Sequence, residues 1–323
     1  MAKAGVTLGI DLGGTKIDIG FVDASGKILR RELIKTSKEG PEVVVKEISE
    51  TAKKLRIPAD GQLMGAGIGM AGQIDSKNGL VHFAPNLGWK NFPLGESIEK
   101  ALQIPVWVTN DVRAAAWGEW LYGAGKGCED LICLFIGTGI GAGIVNGGKM
   151  LTGCRNAAGE VGHMTLDLNG PLCSCGNQGC FEALAGGWAI AKRAKEVLLY
   201  DSVEGKKFLD LTGGTVDEIT ARTVFEAYRS KAIVAVKVVN EVKEALIAGV
   251  ASLVNAFNPA KIILGGGIIT GAPYLVDVIR EGVPKRGLKT AVEFLEIVQA
   301  QLKGDAGVVG ASAFALEMKG EGK

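Results

Sequence analysis

No stretch of this 323-residue chain reaches the roughly eighteen consecutive apolar residues of a membrane-spanning helix, so no membrane partner is expected. Charge of either sign is not in excess. The 36 Lys and Arg against 35 Asp and Glu leave a net charge of +1, and no basic block stands out, which argues against a nucleic-acid partner. Small-molecule chemistry remains. Cysteine and histidine are scarce, at six and two residues. Cys128, Cys133 and Cys154 fall at irregular spacings that make no disulfide framework, and they read as packing residues of a reducing compartment. The N-terminus enters a strand-like pattern by Val6 and leaves no room for a cleavable signal sequence, so the expected location is cytoplasmic.

Glycine, by contrast, is plentiful at 48 residues. It is neither periodic nor spread in low-complexity tracts; it clusters between apolar runs, marking turns that something approaches closely. The length exceeds one ordinary core, and 47% hydrophobic content suffices for two, so two domains are the default. Strands are expected at Val6 to Ile10, Lys16 to Val22 and Lys27 to Ile34, the second with Ile17, Ile19 and Phe21 alternating. A helix from Pro41 to about Arg56 follows, then strands from Leu63 to Met70 and near Leu80, a helix near Leu94 to Leu102, and a strand from Val106 to Thr109.

Past Asp111 the pattern restarts, with a helix through Trp120, a strand from Leu131 to Ile136, a glycine turn and a strand from Ala142 to Asn146. Strand, glycine turn, strand thus occurs twice. That predicts an α/β protein of two similarly built halves facing a shared ligand, with a hinge near Asp111. The rest reads as helical, with long helices from Glu182 to Leu199 and Ile233 to Phe257, apart from strands at Lys261 to Leu264 and Glu293 to Val298. Leu211 to Asp217 reads as a polar surface turn, and a last helix, about Ala306 to Met318, is expected to pack back on the first domain. The expected division is 1–111 plus about 305–323 as a small α/β domain and 112–304 as a large one that includes the loop holding His163, Cys173, Cys175 and Cys180.

Asp11-Leu-Gly13-Gly14-Thr15-Lys16 directly follows an apolar strand. Its glycines let backbone N–H groups converge on an anion while Thr15 adds a hydroxyl, which makes a phosphate cradle; an ordinary Gly-Gly hairpin is the competing reading. The P-loop consensus is absent, since no Gly-Lys-Ser/Thr opens a helix here. Gly137-Thr138-Gly139-Ile-Gly-Ala-Gly repeats the arrangement, and two cradles suit a polyphosphate. Leu264-Gly265-Gly266-Gly267, after a buried strand, offers a third close approach, suited to adenine or ribose resting on backbone. Asn110-Asp111 ends a strand where an open α/β sheet places its ligand groups. Asp111 is therefore either a base for a hydroxyl proton or the N-cap of the next helix.

The most specific pattern is His163-x9-Cys173-x-Cys175-x4-Cys180. Three thiolates and an imidazole complete a tetrahedral zinc shell with no open water position, so the metal would be structural; free thiols gathered by chance are the alternative. Glu160 and Glu182 flank these ligands, and at least one is expected to face a substrate, against the blander reading of solvated helix-end carboxylates. His82 has no partner at a useful spacing and reads as structural. Trp89 reads as core and Asn86 as a ligand contact.

Taken together, these residues resemble the ROK family of sugar kinases, named for repressors, open reading frames and kinases. The resemblance covers essentially the whole chain and is strongest to the ATP-dependent glucokinase branch. Asp11-Leu-Gly-Gly-Thr-Lys matches the first phosphate motif, Gly137-Thr-Gly-Ile-Gly the second, Leu264-Gly-Gly-Gly the adenosine segment, and Gly-His…Cys-x-Cys-Gly-x-x-Gly-Cys-x-Glu the zinc signature. It implies the two-domain actin, Hsp70 and hexokinase type of fold, ribonuclease H-like, with ATP and sugar in the interdomain cleft. It further implies Asp111 as general base, with Gly72, Asn86, Asn110, Asp111, Glu160, His163 and Glu182 at the sugar. Asp11, Gly13, Gly14, Thr15, Lys16, Gly137, Thr138, Gly139, Gly265 and Gly266 would hold the nucleotide, with Asp11 contacting Mg²⁺. Structural Zn²⁺ would sit on His163, Cys173, Cys175 and Cys180, with the other His163 nitrogen toward the sugar.

The reaction so implied is phosphorylation of glucose by ATP at the 6-hydroxyl, a glycolytic step, in a homodimer or homotetramer. Mannose, fructose or an N-acetylhexosamine as acceptor, and polyphosphate as donor, are alternatives within the class. A sugar-sensing regulator and an Hsp70- or actin-like ATPase are alternatives outside it. The DNA-binding members carry a helix-turn-helix ahead of the first phosphate motif, and only a few residues precede it here, which disfavours the regulator.

Overall fold

The computed structural model describes residues 4–57, 61–154, 156–198, 202–212 and 214–320. The chain divides into two compact units. Met1–Cys128, Lys149–Ala158 and Gln301–Lys323 make the first; Glu129–Gly148 and Gly159–Ala300 make the second. The helix that follows Asp111 belongs to the first unit, so the chain first passes into the second at Cys128–Glu129 and not at Asp111.

In the first unit five strands stand in the spatial order Ile28–Lys35, Lys16–Asp23, Ala4–Leu12, Gly61–Met70, Val106–Asn110. The first three are antiparallel, as tight turns allow, and the last two join in parallel after helical crossovers. Ile17, Ile19 and Phe21 are all buried, together with Ile10, Ile68 and Val108. The helix Pro41–Leu55 opens on proline and covers this core with Val44, Ile48 and Ala52, one apolar residue per turn. Parallel register sets Asp11 beside Gly69 and Met70 beside Asn110. The carboxyl ends of three strands therefore finish side by side.

A small second sheet, Gln73–Asp75, Leu80–Ala84 and Trp89–Phe92, was visible in the sequence only at its middle strand. Its outer strands are too short to display alternation. Trp89 is core, as expected, packed on Phe92; His82 is exposed.

The C-terminal helix Ala306–Gly320 lies against this sheet at backbone distance. A methyl group added at Gly9 would meet the Val308 carbonyl at 2.0 Å, one at Gly67 the Ala311 carbonyl at 1.8 Å, and one at Gly310 the Ala114 carbonyl at 1.8 Å. Two strands and the helix Asp111–Leu121 thus share one glycine-lined contact with the end of the chain. Glu119, fully buried, completes the junction by accepting from the N–H groups of Ala124, Gln301 and Leu302 at 3.0, 3.1 and 2.7 Å.

The second unit repeats the pattern. Its strands run in the order Ile140–Asn146, Leu131–Ile136, Lys261–Gly265, Glu296–Gln299, the first pair antiparallel and the others parallel. Strand, glycine turn and strand recur, as the sequence predicts, and in both units parallel strands extend the sheet. The helix Ile233–Phe257 buries Val238, Val242, Leu246, Val250 and Val254 and stops at Asn258 in the left-handed region. No helix among the described residues is long and apolar enough to cross a membrane.

Three expectations shift. The helix expected at Glu182 to Leu199 is two, Phe181–Ala185 and Gly187–Leu198, broken at the extended Gly186, and Leu199 lies outside the described residues. The last strand begins at Glu296, because residues 293–295 close the turn after the helix Lys289–Val292. Leu211 lies in the last turn of the helix Ser202–Thr212, an irregular stretch follows at 214–217, and Gly213 lies outside the described residues.

Replacing Gly310 with Ala should lower stability by about 1–3 kcal/mol through overpacking. Replacing Gly320 with Ala on the same helix, where the added methyl meets nothing within 4 Å, should leave the melting temperature unchanged. Thermal unfolding of the two variants side by side checks this.

Candidate active site

The aligned strand ends of the first unit gather one set of the predicted residues. Gly13 N–H donates to the Lys16 carbonyl at 3.0 Å and closes the hairpin turn, leaving Thr15 and Lys16 exposed at its tip. The turn is held from outside: Thr36 Oγ1 donates to the Gly13 carbonyl at 2.8 Å and Lys38 Nζ to the Gly14 carbonyl at 2.6 Å. A methyl at Gly14 would meet Asn86 Cβ at 3.2 Å, so the first glycine turn and the exposed Asn86 are neighbours. Gly72 has φ +144, and a methyl there would strike the Phe83 carbonyl at 2.6 Å. Glycine is required where this turn passes the strand leading to Asn86.

Asn110, and not Asp111, is the N-cap of the helix Asp111–Leu121. Its Oδ1 accepts from the N–H groups of Val112 and Arg113 at 3.0 and 3.2 Å. Asp111 is the first helical residue, and its Oδ1 also accepts from Val112 N–H, at 2.9 Å. Burial raises the Asp111 carboxyl above the usual carboxylate range, against that hydrogen bond. Asp11 is pushed up to about 6, first by burial, then by Asp111 and Asp18, while Lys16 and Arg31 oppose the shift. A methyl at Gly307 would meet Asp11 Oδ2 at 2.3 Å, so the start of the C-terminal helix closes over this carboxylate. Burial raises both carboxylates, and the nearness of Asp111 adds to the shift at Asp11, a setting that a divalent cation relieves.

The second unit gathers the other set. A methyl at Gly266, φ +91, would meet the Ile136 carbonyl at 2.4 Å, and one at Gly265 the Phe135 ring at 2.7 Å. The third glycine run therefore lies directly on the strand that leads into Gly137, while Gly267 faces open space. The Gly137 and Thr138 carbonyls accept from Gly187 and Trp188 N–H at 2.9 and 3.1 Å. Glu182 reaches the same turn: Oε2 accepts from Ile140 N–H at 2.8 Å and Oε1 from Trp188 Nε1 at 3.0 Å. A side chain at Gly139 would strike this carboxylate at 2.3 Å. Glu160 is exposed, just ahead of the turn Val161–His163.

His163, Cys173, Cys175 and Cys180 come together with all ligand atoms within 4.8 Å of one another. Cys175 Sγ and Cys180 Sγ are 3.8 Å apart, and Cys173 Sγ is 3.7 Å from His163 Nδ1. Metal–sulfur bonds of about 2.3 Å at tetrahedral angles give an edge of about 3.8 Å, so the donor set fits such a cation. Gly176 at φ +89 and Gly179 at φ +68 turn the chain between ligands. A methyl at Gly179 would meet the Asp167 carbonyl at 1.6 Å. Burial, then Cys173 and Cys175, pushes the Cys180 thiol up to about 12, whereas Cys175 is held below the thiol range chiefly by the Asn177 backbone N–H. A cation at the centre would deprotonate all three.

The ROK family profile matches residues 7–318. The chain belongs to the ROK family. This ROK protein is 38% identical over 315 residues to the glucokinase of Streptomyces coelicolor, covering 97% of this chain and 98% of that one. It is 33% identical over 316 residues to the xylose repressor of Caldicellulosiruptor bescii, covering 97% of this chain and 78% of the repressor. Among solved structures it resembles the ROK family glucokinase of Streptomyces griseus in complex with glucose and AMPPNP, with TM-score 0.80 and 37% identity over 97% of this chain and 100% of that chain. Its fold is the two-domain actin-like one of these kinases.

Several residues that build the site gave little sign of it in sequence. Trp188, Arg113, Lys38 and Gly307 act over long separations; buried Arg113, for example, donates to the Asn156 and Ala158 carbonyls at 3.0 and 3.1 Å. Gly186-Gly187 was the one local clue, a helix breaker within an apparently helical pattern.

A carboxyl whose folded pKa lies above its unfolded value binds more protons in the native state, so its stabilising effect holds below about pH 4 and is lost as pH rises through about 6. Asp11→Asn should therefore raise the melting temperature of the nucleotide-free protein at pH 7–8 by about 2–4 °C per kcal/mol of repulsion removed. The gain should vanish below about pH 4. A melting series across pH decides it, and a pH-independent gap would contradict the assignment.

Proposed function

We propose that this protein phosphorylates glucose at the 6-hydroxyl with ATP, yielding glucose 6-phosphate and ADP. The observation that carries the reading is Asp111. Its capping duty is taken by Asn110, its carboxyl is raised by burial, and it stands at the end of the sheet beside Asp11. A carboxylate so placed suits acceptance of the hydroxyl proton as the sugar oxygen bonds to the γ-phosphorus and the bond to the β-γ bridging oxygen breaks. The likeness to glucokinases, one of them solved with glucose and an ATP analogue, supports hexose and ATP as the substrates.

Under this reading Asn86, Gly72, Glu160, His163 and Glu182 bind and orient sugar hydroxyls, with the Asn110 amide beside them. The Gly13-Gly14 and Gly137–Gly139 turns present backbone N–H groups to phosphates, with Thr15 and Lys16 at the transferred group. Gly265 and Gly266 let adenosine rest against backbone. Mg²⁺, when bound at Asp11, would neutralise phosphate charge. Zn²⁺ on His163, Cys173, Cys175 and Cys180 would brace the loop through its shape, since four protein ligands leave no site for activating water. His163 places Nδ1 at the thiols, which leaves Nε2 for a sugar hydroxyl.

An assay coupling ADP release to added hexose tests the reading and separates it from its rivals. Sugar-dependent ADP release is expected; ADP release without sugar would indicate an ATPase, and sugar binding without turnover a regulator. Asp111→Ala should lower turnover by at least about 100-fold with sugar affinity largely kept. Because the base must be ionised, the rate should fall as pH drops through a value above the ordinary carboxylate range.

Elemental analysis should find zinc in the active protein. Cys175→Ser should release it and weaken sugar affinity before ATP affinity changes, as parallel titrations with glucose and nucleotide would show.

A further inference from the structure

Trp188 touches three parts of the second unit. Its ring packs on Cys173, Cys180 and Ala183. Its backbone N–H donates to the Thr138 carbonyl at 3.1 Å. Its indole Nε1–H donates to Glu182 Oε1 at 3.0 Å, while Glu182 Oε2 accepts from Ile140 N–H at 2.8 Å. The Glu182 carboxylate is therefore gripped at both oxygens, once from the glycine turn and once from the indole, and its plane is set. Each oxygen keeps a further lone pair for another donor. A ring that only filled space beside the thiols would need no N–H; this one aims its single donor at a carboxylate.

We propose that Trp188 is a positioning residue for the sugar. It orients Glu182 toward a hydroxyl of the hexose and ties that orientation to the metal-ligand loop on one side and the Gly137–Gly139 turn on the other. The inference rests on the reading of Glu182 as a sugar contact. Phenylalanine at this position keeps the ring against the thiols and the backbone bond to Thr138 but removes the donor. Glu182 is then held by Ile140 alone and can rotate.

The test is equilibrium binding of glucose to the zinc-loaded protein by calorimetry, alongside steady-state kinetics. Trp188→Phe should weaken glucose binding and raise the sugar KM by about tenfold, as expected for a hydrogen bond to a charged group. The kcat should stay within about twofold, and zinc content and melting temperature should be unchanged. Because Trp188 acts through Glu182, adding Trp188→Phe to Glu182→Gln should cost less than about twofold more.

An unchanged glucose affinity in Trp188→Phe overturns the proposal, as does a full effect on top of Glu182→Gln. Loss of zinc or a lowered melting temperature in parallel would show a structural role only, and overturns it too. Wild-type protein that binds glucose without phosphorylating it would sink the kinase reading and leave the role of Trp188 to be decided by the binding data. Wild-type protein that binds no hexose would overturn both.

Discussion

The contact on which the first unit depends is backbone against backbone. Gly9, Gly67 and Gly310 let the C-terminal helix approach two strands and the helix Asp111–Leu121 so closely that a single methyl at any of them would overlap a carbonyl. Segments about 300 residues apart in sequence are thereby fixed to one another, and the elements they touch are the strands that carry Asp11 and Gly69 and the helix that begins at Asp111. Protein interiors transmit such constraints because they are packed without slack. Gly307, at the head of the same helix, then sets the surroundings of Asp11 itself. The raised Asp11 carboxyl follows from this closeness: a packing decision becomes an electrostatic one.

The second unit uses the same device for another end. Glycines at 137, 139, 186, 187 and 266 remove side chains where turns, helix starts and strand ends converge. Into the space left at Gly139 comes the carboxylate of Glu182. Two residues after Cys180, it joins the loop of the four candidate ligands to the second glycine turn. A cation on the four ligands would shape that loop, and the carboxylate carries the shape onward. The loop of His163 and the three cysteines, the carboxylate and the glycine turn are thus joined, with Trp188 touching all three. Charge here is managed by hydrogen bonds to Glu182, whereas burial leaves the Asp11 and Asp111 carboxyls raised above the usual carboxylate range.

Much of this was legible beforehand, and the exceptions share a cause. The helix Ile233–Phe257, long and apolar nearly all round, and the strand with Ile17, Ile19 and Phe21 declared themselves, the first by length and composition and the second by the alternation of its large apolar residues along one face. The strands Gln73–Asp75 and Trp89–Phe92 did not, being too short to repeat anything. At Gly186 the Gly-Gly pair is the local sign of the break, but what fixes it is the hydrogen bonding of Gly187 and Trp188 to a turn about fifty residues earlier, which no local pattern shows. At Asn110-Asp111 the sequence showed both residue types but not which of them caps the helix. Either side chain could cap the helix, and only the geometry assigns the cap to Asn110.

By itself, then, the sequence determined the classes of chemistry available. A tetrahedral set of three thiols and an imidazole, three glycine runs at strand ends and an Asn-Asp pair after a buried strand restrict the possibilities because residue type and spacing limit which atoms can share a ligand. Tertiary structure decided which groups stand free and which are engaged. It placed Asn110 on the helix N–H groups, turned Glu182 toward Ile140 and Trp188, and buried Asp11 beside Asp111. Those outcomes depend on partners distant in sequence, whose approach is set by packing, and no local pattern encodes the distance between them.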